Sequence, residues 1–217
     1  MEMSADLIGL SADAKLLLRP SPEDRLRKSA DLRKILASMI VRASKSRIKE
    51  RLIDELEPFQ AYMINACRNF GVHIALLGRR EKISDLRIHE TALSLPDDRI
   101  PDGRLTDTIR GFYYADRKLL VIGEEQIGMP DRLVSVHEFA HAYDHTFSEK
   151  HYQSHYLSTQ LWERFSGSRK AAISDYAATA PEEYFAECVE GYFFPKGAAW
   201  LKANDPEMYE FLGTLFL

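Results

Sequence analysis

Cysteine is scarce in this sequence: Cys67 and Cys188 are the two in 217 residues. They lie far apart and neither sits in a CxxC pair, so a thiolate metal site is unsupported. A chain of this length buries a real core without disulfide staples, and Cys188, among apolar and small residues, reads as a buried thiol. A surplus of positive charge is also missing. The net charge of −4 gives no case for nucleic-acid binding. Long apolar runs are absent too; Leu16-Leu17-Leu18 is far too short to span a bilayer, so no stable membrane insertion is expected. The first residues, Met1 to Asp6, lack the positive and apolar regions of a signal peptide. As written the chain is expected to be cytoplasmic; a trimmed sequence, or secretion or translocation by another route, would read the same. There is no internal repeat and no low-complexity segment.

What is present is the composition of a soluble globular protein, 45% hydrophobic and 29% charged. The expected organisation is a flexible lead-in over residues 1–20 and a single domain over 21–217. Within that domain, residues 21–70 are N-terminal helices, 71–129 a small sheet and 130–217 helices that carry the chemistry. Residues 19–51 are rich in Arg and Lys, and 175–210 in Asp and Glu. The first stretch reads as a solvated helix face; the alternative is a surface that binds acidic partners or membrane surfaces.

Local signals give the elements. Ser21-Pro22-Glu23-Asp24 is a helix start, followed by Leu26, Leu32, Ile35, Leu36, Met39 and Ile40 at helical spacing. A second helical pattern runs from about Ser46 to Phe70, divided at Pro58. Val72 to Leu77 reads as a strand. Gly111 to Tyr114 and Leu119 to Ile122 read as a hairpin turned at Asp116-Arg117-Lys118. Residues 79–110 read as polar and irregular. Helices are expected from Pro130 to Phe147, Tyr152 to Phe165, Pro181 to Phe194 and Pro206 to Phe216. Thr179 with Glu182 forms a capping box for the third of these. The fold class is therefore α+β, mainly helical in its C-terminal half, with the sheet ending in the hairpin.

The most informative motif is His137-Glu138-Phe139-Ala140-His141. On a helix, positions i and i+4 share a face, so both imidazoles point the same way and can hold one Zn²⁺. Glu138 stands beside the first ligand, placed to act as general base on a water and to return the proton to a leaving amine. A metzincin would need a glycine three residues after the second histidine and a third histidine three residues beyond; Asp144 and Phe147 stand there. His145 is out of phase with the ligand face. The third ligand should be a carboxylate on another helix. The run Tyr176 to Glu187 supplies Glu182, Glu183 and Glu187, and composition does not choose among them. A structural zinc site would need a fourth protein ligand, and three are in view.

Three blocks, in order, resemble the catalytic domain of the anthrax lethal factor and its relatives, the secreted Pro-Pro endopeptidases. They are Arg110-Gly111-Phe112-Tyr113 followed by Lys118-Leu119-Leu120-Val121, then Val136 to Asp144, then Tyr176 to Glu187. The resemblance implies a zincin-like metallopeptidase domain and a zinc metalloendopeptidase of the gluzincin type, acting on a protein or peptide substrate with one Zn²⁺ per chain. It implies His137, His141 and Glu183 as ligands, Glu138 as base, and Tyr176, seven residues before Glu183, as donor to the oxyanion. Glu187 and Asp144 would support the ligands from behind. Tyr114 and Tyr143 are expected to pack. Leu119, Leu120, Val121, Ile122 and Gly123 are expected to line the substrate cleft as an edge strand. The run Asp175 to Ala186, with Gly191-Tyr192-Phe193-Phe194-Pro195 after it, is also similar to the Mlc titration factor family. That similarity implies a second reading, a regulatory protein-binding module that keeps a zinc site.

Overall fold

Helix α1, Ser29–Met39, turns Leu32, Ile35, Leu36 and Met39 inward at helical spacing. The chain then leaves the helix: Ile40–Arg42 forms a short strand, β1, which the helical pattern had absorbed. The computed structural model describes residues 29–43, 45–88, 91–92, 105, 108–151, 157–165 and 172–216. The expected lead-in, the helix start at Ser21 and Leu26 lie outside the described residues, as does much of 79–110. Pro58 divides the next helical region as expected, into α2, Ser46–Leu56, and α3, Ala61–Phe70. Gly71 ends α3 at φ 95, a left-handed conformation that glycine adopts without steric cost. Strand β2, His73–Leu77, follows, and Arg87–Ile88 and Thr91–Ala92 form a small antiparallel pair, β3 and β4.

The hairpin forms where expected, as β5, Gly111–Tyr114, and β6, Leu119–Gly123. A single 3₁₀ turn, Ala115–Arg117, joins them, and Lys118 takes φ 51. Its ammonium lies 3.6 Å from the Phe70 ring centroid and donates to the Phe70 carbonyl at 3.1 Å, tying the turn to α3. The sheet order is β1-β2-β6-β5, with β1, β2 and β6 parallel and β5 antiparallel. This corrects one expectation. Leu119 to Gly123 is not an edge strand: it lies between β2 and β5 and is buried throughout, its backbone engaged on both sides. Among the described strands, β5 is the edge on that side. Both faces of the sheet are covered, which explains the continuous apolar reading of β2 and β6. Ile74, Leu76, Leu120, Ile122 and Tyr113 face the helical core; Ala75, Leu77, Leu119 and Val121 pack with Ile83, Leu86 and Ile109.

The C-terminal half is helical. It comprises α4, Val134–His151; α5, Leu157–Phe165; α6, Pro181–Tyr192; α7, Pro195–Asn204; and α8, Pro206–Phe216. No helix among the described residues is long and apolar enough to cross a membrane. Helix α7 was not anticipated, because Pro195 reads as a stop; instead it opens the next helix at a first-turn position, where no N–H is needed. Gly191 and Gly197 allow the junction. A side chain on Gly197 would run into the Gly191 carbonyl. The Thr179–Glu182 capping box does not form. Pro181 takes the first helical position, Ala180 is the cap residue, and the Thr179 hydroxyl donates to the Tyr176 carbonyl at 2.7 Å. Buried Asp205 caps α8, accepting the Met208 N–H at 3.1 Å and the Tyr184 hydroxyl; a cap of this kind contributes about 1 kcal/mol.

Helix α4 lies at the centre. It packs against α6, α3, α2, α5, β5 and β6. Its first turn is held by acids from two other helices, as the positive end of a helix dipole favours: Glu190 of α6 accepts the Leu133 N–H at 2.7 Å, and Glu55 of α2 accepts the Ser135 hydroxyl. A cation of the basic N-terminal stretch is paired within the fold. Arg33 pairs with Glu50 at 2.8 Å, Asp54 at 2.7 Å and Glu57 at 3.1 Å, all within or just after α2. That pairing favours the structural reading for Arg33.

Candidate metal centre

One turn of α4 separates His137 from His141, so their rings stand side by side with centroids 4.9 Å apart. Their Nε2 atoms are 3.2 Å apart. Glu183, in the first turn of α6, places Oε2 3.1 Å from His137 Nε2 and 3.4 Å from His141 Nε2. These three atoms close a small triangle. A tetrahedral Zn²⁺ with ligand distances of about 2.0–2.1 Å needs its ligands about 3.3 Å from one another, so the donor set fits that ion in both chemistry and size. Of the three acids that sequence left open, Glu182 is exposed and Glu187 lies on the far side of His137; Glu183 alone joins the triangle.

The site is polarised. Burial acts to lower the His137 imidazolium, but the carboxylates of Glu183 and Glu190 outweigh it and push the group up to about 10. Burial acts to raise Glu183, and hydrogen bonds from His137 and His141 overcome it, holding the carboxyl well below the usual range. The His137 proton therefore stabilises the folded site from low pH to the neutral range and fades as pH climbs from the ordinary imidazole value towards 10. The Glu183 charge stabilises above the ordinary carboxylate value and fades as pH falls through its depressed one. A cation entering the triangle must displace the His137 proton. Zinc affinity is therefore expected to weaken about tenfold per pH unit on acidification for each proton displaced, as competition with a chromophoric chelator at pH 6 and pH 8 would show. An affinity independent of pH would refute the displacement.

Glu138 faces the sheet side of the site. It is buried, and burial raises its pKa against the opposing pull of His137 and His141. A backbone hydrogen bond from Tyr113, on β5, also reaches it. Gly111 explains how β5 comes so close: a Cβ there would collide with Val134 and stand 3.1 Å from Glu138 Oε1. Tyr176 lies just before α6, its hydroxyl donating to Glu183 Oε1 at 3.0 Å and its ring stacked 6.3 Å from His137. It is one of the few large apolar side chains left exposed, at 38%.

The supporting residues divide. Glu187 Oε1 is 3.5 Å from His137 Nδ1, and Ser174 donates to its other oxygen at 2.8 Å. Asp144 is buried and accepts the Ser158 N–H at 3.0 Å; burial pushes it up to about 6, with the His141 charge among the opposing influences. His145 bonds the Tyr113 hydroxyl at 2.9 Å and packs on Phe70, away from the ligand triangle. Tyr143 is buried and Tyr114 packs beside Phe112, in keeping with their expected packing role. Glu190 was missed. Its Oε2 also lies 3.5 Å from His137 Nδ1. Burial would raise its pKa, but His137, the Leu133 N–H and Arg132 together hold it below the usual value. The signal was available: Glu183, Glu187 and Glu190 repeat at i, i+4 and i+7, one stripe of α6.

A small sheet with an antiparallel edge strand laid beside the helix that carries the paired histidines defines a zincin-like fold. Residues 28–215 match the model of the family described as Anthrax toxin lethal factor, N- and C-terminal domain, and the chain belongs to that family. Among solved structures it is similar to the Pro-Pro endopeptidase PPEP-2 from Paenibacillus alvei, with a TM-score of 0.60 and 20% sequence identity over 84% of this chain and 100% of that one. At that identity the likeness is one of fold. No curated protein matches the chain.

Proposed function

We propose that this protein is a zinc-dependent metalloendopeptidase that cuts selected protein or peptide substrates. Family membership and the shared fold support a peptidase. The observation that carries the zinc reading is the triangle of His137 Nε2, His141 Nε2 and Glu183 Oε2, sized for one tetrahedral ion. Zn²⁺ held there would polarise a peptide carbonyl and acidify a water.

The chain's own groups supply the rest. Glu138 takes the proton of the attacking water and delivers it to the leaving amine; its raised pKa suits both tasks. The Tyr176 hydroxyl, which donates its single proton to Glu183 Oε1 in the resting site, would turn that proton to the negative charge that develops on the carbonyl oxygen. Strand β5 is the rim of the sheet among the described strands, and the Tyr113 hydrogen bond to Glu138 puts that rim beside the base, where an extended substrate would lie. With four residues, β5 reads a short stretch of substrate, which favours selected sites over general digestion. The regulatory-module reading is not favoured, since the Arg33 charge it would draw on is already paired within the fold.

Tyr176→Phe is expected to lower kcat by about 10²–10³-fold with little change in KM or zinc content, because the lost hydroxyl acts on the transition state. A loss confined to KM would reassign Tyr176 to substrate binding. The reading as a whole is tested by a peptide-library cleavage profile. Discrete products that disappear with a zinc chelator are expected, and a library left intact by zinc-loaded protein contradicts it.

A further inference from the structure

His137 is 5% exposed, and its Nδ1 has no partner of good hydrogen-bond geometry among the described residues. Two carboxylate oxygens face that atom, each at 3.5 Å: Oε1 of Glu187 and Oε2 of Glu190. They are anchored differently. Glu187 is held by Ser174, whose hydroxyl also accepts the Ala177 N–H at 2.9 Å, so this acid belongs to the turn that carries Tyr176. Glu190 accepts the Leu133 N–H at 2.7 Å, so its second oxygen holds the start of the helix on which His137 rides. Arg132, next in sequence to Leu133, reaches Glu187 at 3.2 Å and Glu190 at 3.4 Å. Its guanidinium lets one buried and one half-buried carboxylate share one ring nitrogen without uncompensated repulsion.

We propose that Glu190 is a positioning residue for His137, fixing the ring to the first turn of α4 with Nε2 turned towards His141 and Glu183, and that Arg132 is its counter-charge. A neutral imidazole carries one proton. A carboxylate that accepts it at Nδ1 leaves the Nε2 lone pair for a metal. The inference rests on the zinc-site reading above and goes beyond it by assigning a residue outside the ligand set.

Glu190→Gln separates this role from simple packing. The glutamine keeps an oxygen for the Leu133 N–H but turns an amide donor towards Nδ1, favouring the tautomer that blocks Nε2. Zinc affinity is expected to fall about 10- to 100-fold, while the thermal midpoint of chelator-treated protein stays within about 2–4 °C of wild type. The visible absorption bands of the Co²⁺-substituted protein should shift as the ligand ring tilts. Glu190→Ala, which also abandons Leu133, should lower both affinity and midpoint. Wild-type affinity and an unchanged Co²⁺ spectrum in Glu190→Gln would overturn the proposal. So would an affinity loss seen only together with a fallen midpoint, which would mark Glu190 as a structural residue. A wild-type protein that takes up no zinc would overturn the zinc-site reading itself, and this inference with it.

Discussion

Glu138→Gln is expected to leave a folded, zinc-binding protein whose turnover is lower by about 10²–10⁴-fold. Glutamine matches the volume of glutamate and still accepts the backbone hydrogen bond from Tyr113, so the contact between α4 and β5 survives. What it cannot do is take a proton. No other described carboxylate occupies that place: Glu183 is in the triangle, and Glu187 and Glu190 lie behind His137. The space beside Gly111 and Val134 is too tight for a new side chain to enter. The measurement is kcat with zinc content and thermal midpoint on the same preparation. Turnover within a few-fold of wild type would remove Glu138 from the mechanism.

The second large effect is at Glu183. Zinc binding in protein sites is worth about 10–16 kcal/mol, so one ligand of four accounts for about 3–4 kcal/mol, or about 10²–10³ in affinity. Glu183→Ala is expected to weaken zinc binding by at least that factor. Its carboxylate also compensates two imidazoles whose Nε2 atoms stand 3.2 Å apart, and it anchors the Tyr176 hydroxyl. Cleavage should fall further than metal occupancy alone dictates, because the paired imidazoles lose the carboxylate that stands between them. Chelator competition and kcat at saturating zinc separate the two contributions. Unchanged zinc affinity in Glu183→Ala would show that the third ligand lies elsewhere.

Much of this site was legible because its central part is local. The spacing of His137 and His141 fixes their common face as soon as the segment is helical, and nothing distant can alter that. Glu183 was legible only as one of three: composition left Glu182, Glu183 and Glu187 open, and the resemblance to the lethal factor group preferred Glu183. The fold sets Glu183 Oε2 3.1 Å and 3.4 Å from the two Nε2 atoms, a placement that no local pattern encodes. Glu190 lies one turn beyond Glu187 on one stripe of α6, where the local pattern alone does not tell a supporting acid from a solvated one.

The misses elsewhere are non-local in the same sense. Ile40 and Val41 continue an apolar helical pattern, and only pairing with Ile74 and Ala75 of β2 makes that segment a strand. Strand order among the described residues places β6 inside the sheet and β5 at its rim, so the proposed substrate-facing edge is Gly111–Tyr114 and not Leu119–Gly123. Alternation of side chains says which residues are buried; it does not say which strand is last.

The central claim is that His137, His141 and Glu183 hold one catalytic zinc. Elemental analysis of protein purified without chelator tests it most directly. The account predicts about one zinc per chain in wild type and a marked loss in His141→Ala. A wild-type protein that carries no zinc and takes up none when it is supplied would contradict it.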